Sequence, residues 1–161
     1  MSQSITVGIS DLNVTSAPNV LVTYALGSCV GICLYDPITK VGGLAHIMLP
    51  SSQLSAAGHS PHKFADTATV ELVRQMEMKG ANKVRIKAKI AGGAQMFAAI
   101  SNSSIANIGA RNIVAVKEVL EKLSIPILAE DTGKNYGRTL YFNTMDGTML
   151  IKSAIKGEWV W

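Results

Sequence analysis

The strongest constraint on how this chain can fold is its rhythm. Short apolar runs rich in β-branched residues recur along its length, and only two stretches break into a helical period. Strands are predicted at residues 5–9, 19–24, 30–35, 44–49, 84–91, 126–130, 139–143 and 149–154. The first helix is expected to open at Ser60-Pro61, a capping residue followed by the proline tolerated at the first helical position, and to end at Lys79-Gly80. Ala65, Ala68, Leu72 and Met76 would form its buried stripe. The second is expected from about Gly109 to Leu123, entered at Asn107 or Ile108, with Ile113, Val116, Leu120 and Leu123 inward and Pro126 forbidding extension. Strands first, two helices separated by strands, then strands again imply an α/β chain of the α+β type, a mixed sheet with helices packed on it.

Nothing divides the chain: there is no repeat, low-complexity tract or linker, and 161 residues suffice for one domain spanning 1–161 with a core of its own. A net charge of +4 could favour an acidic partner, but Lys and Arg are scattered, which argues against nucleic acid. The densest basic stretch, Lys83, Arg85, Lys87 and Lys89, alternates with Val84, Ile86, Ala88 and Ile90, the period of a half-buried strand with a solvated face. Residues 1–10 lack the form of a signal peptide and no apolar run is long enough for a membrane span, so a cytoplasmic protein without membrane insertion is expected. The two cysteines, if both on one extended strand, lie about 13 Å apart, too far to bridge. Free thiols suit a reducing compartment.

The chemically informative stretch is residues 21–50, LVTYALGSCVGICLYDPITKVGGLAHIMLP. Val30, Ile32 and Leu34 alternate with Cys29, Gly31, Cys33 and Tyr35, so one face packs and the other carries Cys29 beside a glycine. Asp36-Pro37-Ile38-Thr39 has the signature of a type I turn that returns the chain antiparallel. If Asp36 pairs with Thr39, Cys29 falls opposite His46, with Cβ atoms about 4.5–5.5 Å apart. A bulge at Gly42-Gly43 would instead slip the pairing and separate the two side chains. A cysteine that meets a histidine is a competent nucleophile, because the imidazole accepts the thiol proton and the imidazolium stabilises the thiolate.

Two other readings stand beside that one. A free cysteine on an apolar strand is commonly a small buried hydrophobe, and a histidine in AHIML a hydrogen-bonded core residue. Cys33 takes this structural reading. Cys29, Cys33, His46, His59 and His62 could also supply zinc ligands, but the cysteines sit in a strand-like run rather than on a tight knuckle. No metal or other cofactor is therefore expected.

LGSCVGICLYDP followed by GGLAHIMLP resembles the chemoreceptor glutamine deamidases, the CheD family. FADTATVELVRQM, AGGAQMF, NIGARNIVAV and DTGKNYGRTLYFNTMDG extend the resemblance over nearly the whole chain, in order. It implies a layered, largely antiparallel α/β sandwich similar to glutamine-deamidating toxins. It also implies a cysteine amidohydrolase that converts glutamine side chains in the cytoplasmic helical region of chemoreceptors to glutamate, releasing ammonia through a thioester. On this resemblance Cys29 is the nucleophile, His46 the base and Thr23 the residue that orients His46; on residue type alone Thr23 is a β-branched strand residue. Backbone N–H groups around Gly27, Ser28 and Cys29 would face the oxyanion. A CheC-type phosphatase is the implied protein partner. The GGAQMF loop, with Met96 and Phe97, is either a substrate contact or a strand-ending turn, and residues 131–133 with Gly137-Arg138 either flank the site or serve as turns.

Overall fold

The computed structural model describes residues 2–54, 60–96 and 107–161. Among the described residues, ten strands divide between two five-stranded sheets rather than forming one. In chain order they are β1 (Ser4–Thr6), β2 (Asp11–Ser16), β3 (Val20–Leu26), β4 (Val30–Asp36), β5 (Val41–Ile47), β6 (Lys87–Gly92), β7 (Ile127–Thr132), β8 (Arg138–Asn143), β9 (Thr148–Ser153) and β10 (Gly157–Val160). The first sheet runs β1-β3-β8-β9-β10 and the second β2-β5-β4-β6-β7. Pairing is antiparallel except for β1 with β3 and β6 with β7. The expected layered α+β fold is present, in three layers.

Side-chain alternation along β4 explains the layers. Val30, Ile32 and Leu34 point into a core shared with α1 (Ala65–Met78) and α2 (Ile108–Lys122), while Cys33 points into a second core between the sheets, with Leu21, Leu44, Leu140, Phe142 and Ile151. The expected stripes hold: Ala65, Ala68, Leu72 and Met76 are buried on α1, Val116 and Leu120 on α2, and Ile113 and Leu123 pack at the margin. β5 is buried along its whole length, flanked by β2 and β4 and covered on both faces. Its two glycines make no bulge. They let neighbours close in: a Cβ at Gly42 would meet Thr144 at 2.7 Å, and one at Gly43 would meet Leu72 at 2.7 Å.

Three expectations about elements fail for local reasons. α1 begins at Ala65, because Ser60 and Pro61 open a separate 3-10 turn, Pro61–Lys63, in which the Ser60 hydroxyl accepts from the His62 N–H. The predicted strand over 84–91 starts only at Lys87, because the Asn82 side chain caps a 3-10 turn at Lys83–Arg85 and leaves Val84 84% exposed. Arg85 turns inward instead and pairs with Asp36. β2 and β10, sequences DLNVTS and GEWV, carry no apolar run and were not expected.

Candidate active site

Register decides where His46 lies. Asp36 pairs with Val41, not with Thr39, so Gly31 rather than Cys29 stands opposite His46. The turn is longer than expected. Lys40 takes a left-handed φ of 56° and its N–H returns to the Asp36 carbonyl at 2.8 Å, which puts four residues between the strands. Asp36 caps the turn through the Ile38 N–H. Burial alone would raise its pKa, but the Arg85 guanidinium and the N–H groups of Asn82, Ile38 and Thr39 hold its carboxyl well below the usual carboxylate range.

The shift is two residues, so the side-chain face is unchanged. Cys29 immediately precedes the first paired residue, Val30, and packs against the inter-sheet core, so by register it stands diagonal to His46, a relation that in a regular ladder spans about 7–8 Å or a little less. Gly31 leaves the space between them free of side chain. A Cβ there would sit 3.0 Å from Leu140 and 3.2 Å from Leu26.

The imidazole is buried, and its two nitrogens differ. Nδ1 lies 2.7 Å from Thr23 Oγ1 on β3, across the gap between the sheets. The Thr23 hydroxyl donates its proton to the Val7 carbonyl, also at 2.7 Å, so towards His46 it acts as acceptor. Nδ1 therefore carries the ring proton, and Nε2 keeps a bare lone pair. Nε2 is buried and has no hydrogen-bond partner among the described residues. Burial also lowers the His46 pKa to about 4. Burial pushes the Cys29 thiol up, opposed by the residue's own backbone N–H. The environment thus favours a neutral thiol and a neutral imidazole at rest, rather than the thiolate–imidazolium pair expected from the sequence.

Cys29 sits where the chain crosses from β3 in one sheet to β4 in the other, and all three carbonyls of its bend are anchored. Ala94 N–H donates to the Gly27 carbonyl at 2.9 Å and Gly93 N–H to that of Cys29 at 2.8 Å. Asn112 Nδ2 donates to the Ser28 carbonyl at 3.0 Å. The Gly27 N–H is engaged with the Ala25 carbonyl, so it is not a free donor. Ser28 and Cys29 N–H make no backbone hydrogen bond among the described residues.

The AGGAQMF segment ends β6 and packs against the bend that carries Cys29. Gly92, at φ 107°, approaches so closely that a Cβ would overlap the Cys29 carbonyl oxygen. Met96 is half exposed and lies over Gly27, where a Cβ would be 3.2 Å from its Cγ. Phe97 lies outside the described residues, as does His59. The second loop serves as structure: buried Arg138 pairs with Asp131 at 3.0 Å and stacks on Tyr136, and the indole N–H groups of Trp159 and Trp161 reach the other Asp131 oxygen. Among the described residues no three His, Cys, Asp or Glu side chains gather as a metal site; Cys33 is buried in the inter-sheet core and His62 stands 3.9 Å from Asp11 at the surface.

Asn112 was missed from sequence. Its signal was available: a polar residue on the inward stripe of a helix, one turn before Val116.

Comparison with known proteins gives a consistent result. The family model for CheD, described as chemotactic sensory transduction, matches residues 48–153, the segment that begins two residues after His46. A Caldanaerobacter subterraneus protein named "Probable chemoreceptor glutamine deamidase CheD" is 55% identical over 97% of this chain and 96% of its own. A Lachnoclostridium phytofermentans protein of the same name is 51% identical over 98% of both. Among solved structures, a Neisseria meningitidis protein of the DUF152 family shares the fold, with a TM-score of 0.52 at 8% identity over 81% of this chain and 64% of that one.

Proposed function

Because this chain belongs to the CheD family, we propose that it deamidates glutamine side chains in the cytoplasmic helical region of chemoreceptors, with Cys29, His46 and Thr23 as its catalytic group. The observation that carries the reading is the buried imidazole bound to Thr23 through Nδ1, with Nε2 bare on the face that Cys29 shares. Such an imidazole is oriented and neutral, the state a general base needs.

The Cys29 sulfur attacks the carboxamide carbon, and its proton passes to His46 Nε2 as the C–S bond forms and the carbonyl π pair moves to oxygen. Ser28 and Cys29 N–H are the donors suited to that oxyanion. His46 then gives the proton to the amide nitrogen; the C–N bond breaks, ammonia leaves and a thioester remains. Water attacks the thioester, losing its proton to His46, which returns it to the departing sulfur. Thr23 accepts from Nδ1–H throughout and stabilises the transient imidazolium. No metal or cofactor is needed for any step.

Exposed Met96 lies over this bend and offers apolar contact to a helical substrate. A CheC-type phosphatase docking on the same rim would compete with the receptor. The receptor substrate puts the reaction in the cytoplasm, where both thiols stay reduced.

The test is incubation with receptor cytoplasmic fragments, beside a Cys29→Ala control, followed by peptide mass spectrometry. Conversion of specific glutamines by the wild type alone is expected. Equal conversion by Cys29→Ala, or none by the wild type, sinks the proposal. Loss of conversion when the phosphatase is added is the expected sign of a shared rim.

A further inference from the structure

Resting on the cysteine-hydrolase reading above, we infer that Asn112 is a positioning residue that fixes the Ser28–Cys29 peptide so that the Cys29 N–H faces the reacting centre. Asn112 is fully buried on the inward stripe of α2, where Val116 and Leu120 supply apolar core. An amide in such a place is costly unless its polar atoms are bonded, and here the Oδ1 has no partner among the described residues, so the side chain is held by its hydrogens. Both Nδ2 hydrogens are used: one goes to the Ser28 carbonyl at 3.0 Å and the other to the Met48 carbonyl at 2.9 Å. The first belongs to the peptide that leads into the nucleophile. The second lies two residues beyond His46. One side chain therefore ties together the two segments that carry the thiol and its base.

Peptide geometry converts this tie into a direction. In a planar trans peptide the C=O of one residue and the N–H of the next point opposite ways. Asn112 holds the Ser28 carbonyl towards the helical layer, so the Cys29 N–H points away from it, towards the inter-sheet face of Thr23 and His46. The Cys29 N–H indeed acts on its own sulfur, countering the effect of burial on that thiol. The neighbouring carbonyls of Gly27 and Cys29 are held by backbone donors from Ala94 and Gly93. The remaining carbonyl of the bend is the one Asn112 holds.

Alkylation separates aiming from mere support, because displacement at iodoacetamide forms no oxyanion whereas attack on a carboxamide does. Asn112→Leu keeps the volume and removes both donors; Asn112→Ser is the second variant, used if the first does not fold. Expected for either is a fall in kcat on receptor fragments of about 10²-fold, the range for losing one oxyanion donor. KM and the Cys29 alkylation rate at the high-pH limit, where the thiol is fully ionised in every variant, should each stay within roughly three-fold, as uniform binding and the reactivity of the thiolate itself are left alone. Parallel losses in kcat and alkylation, or a kcat within about three-fold of wild type, would overturn the inference. Cys29→Ala run alongside distinguishes the levels: if it stays active, the cysteine reading itself fails, and if it is dead while Asn112→Leu runs at full speed, only the role of Asn112 fails.

Discussion

Thr23→Val keeps the shape of the side chain and removes only the hydroxyl, which at this position does two jobs. It donates to the Val7 carbonyl and accepts from His46 Nδ1, each at 2.7 Å and out of solvent. In the ground state the substitution orphans one buried acceptor and one buried donor. At about 1–3 kcal/mol each, that is a loss of about 2–6 kcal/mol in stability before relaxation. During catalysis the imidazole becomes positive, and the bond it loses is then one to a charged group, worth about 1.5–3 kcal/mol. Only the excess of that bond over the neutral one already missing in the ground state, about 1–1.5 kcal/mol, enters kcat, which at about 1.4 kcal/mol per decade should fall between about 5- and 12-fold. Thr23→Ser keeps the hydroxyl and should stay within roughly two-fold of wild type, the shortfall coming from the missing methyl. The assay is initial rates of glutamine deamidation at saturating receptor fragment, corrected for the folded fraction by urea titration at the same temperature. A Thr23→Val enzyme within about three-fold of wild type, or a Thr23→Ser enzyme as slow as Thr23→Val, would refute the reasoning.

Three further outcomes concern activity against pH, stability against pH and the bend that carries Cys29. With His46 at about pKa 4 and the Cys29 thiol raised, the acid limb of kcat/KM should fall near pH 4, and Cys29 alkylation should climb steadily above neutrality. A low-pH plateau in alkylation would instead reveal a resting ion pair. The same His46 shift bears on folding. The folded pKa lies below the unfolded value of 6.5, so stability is fully present above pH 6.5 and is lost as pH falls towards 4, by about 3 kcal/mol. Urea midpoints of wild type and His46→Gln across that window check this, and equal slopes would count against it. Gly92→Ala places a side chain at φ 107° against the Cys29 carbonyl, so a cost of about 1–3 kcal/mol and a disproportionate loss of activity are expected. Activity that merely tracks the folded fraction would argue against a role for Gly92 in shaping the bend.

Periodicity made the inner parts of the fold legible. The alternation along residues 30–35 assigns the faces of β4, and the 3.6-residue stripe of α1 matches its buried residues. Register escaped because it depends on a left-handed Lys40, and lysine carries no mark of that conformation as glycine or asparagine would. The KVRIKAKI run misled because its first three residues obey local capping by Asn82 and the pull of Asp36 on Arg85, not strand period. The pairing of Thr23 with His46 joins two sheets, a contact no local pattern encodes, and was accessible only through the family resemblance. Asn112 carried a readable signal as an amide on an apolar stripe, but its partners are backbone carbonyls 84 and 64 residues away.

The bend at Cys29 is also the point where the chain passes from one sheet to the other, with Thr23 left behind in the first and His46 waiting in the second. The proposed reacting group is thus assembled across a seam, as the jaws of a vernier are set by two separate scales. Sliding one sheet over the other by about 1 Å would leave each sheet's hydrogen bonds intact and still cost on the order of 10²-fold in rate, because attack geometry tolerates no more. On the proposed mechanism, side chains such as Leu21, Leu44 and Phe142 would therefore set the alignment of Thr23, His46 and Cys29 by how they interlock between the sheets.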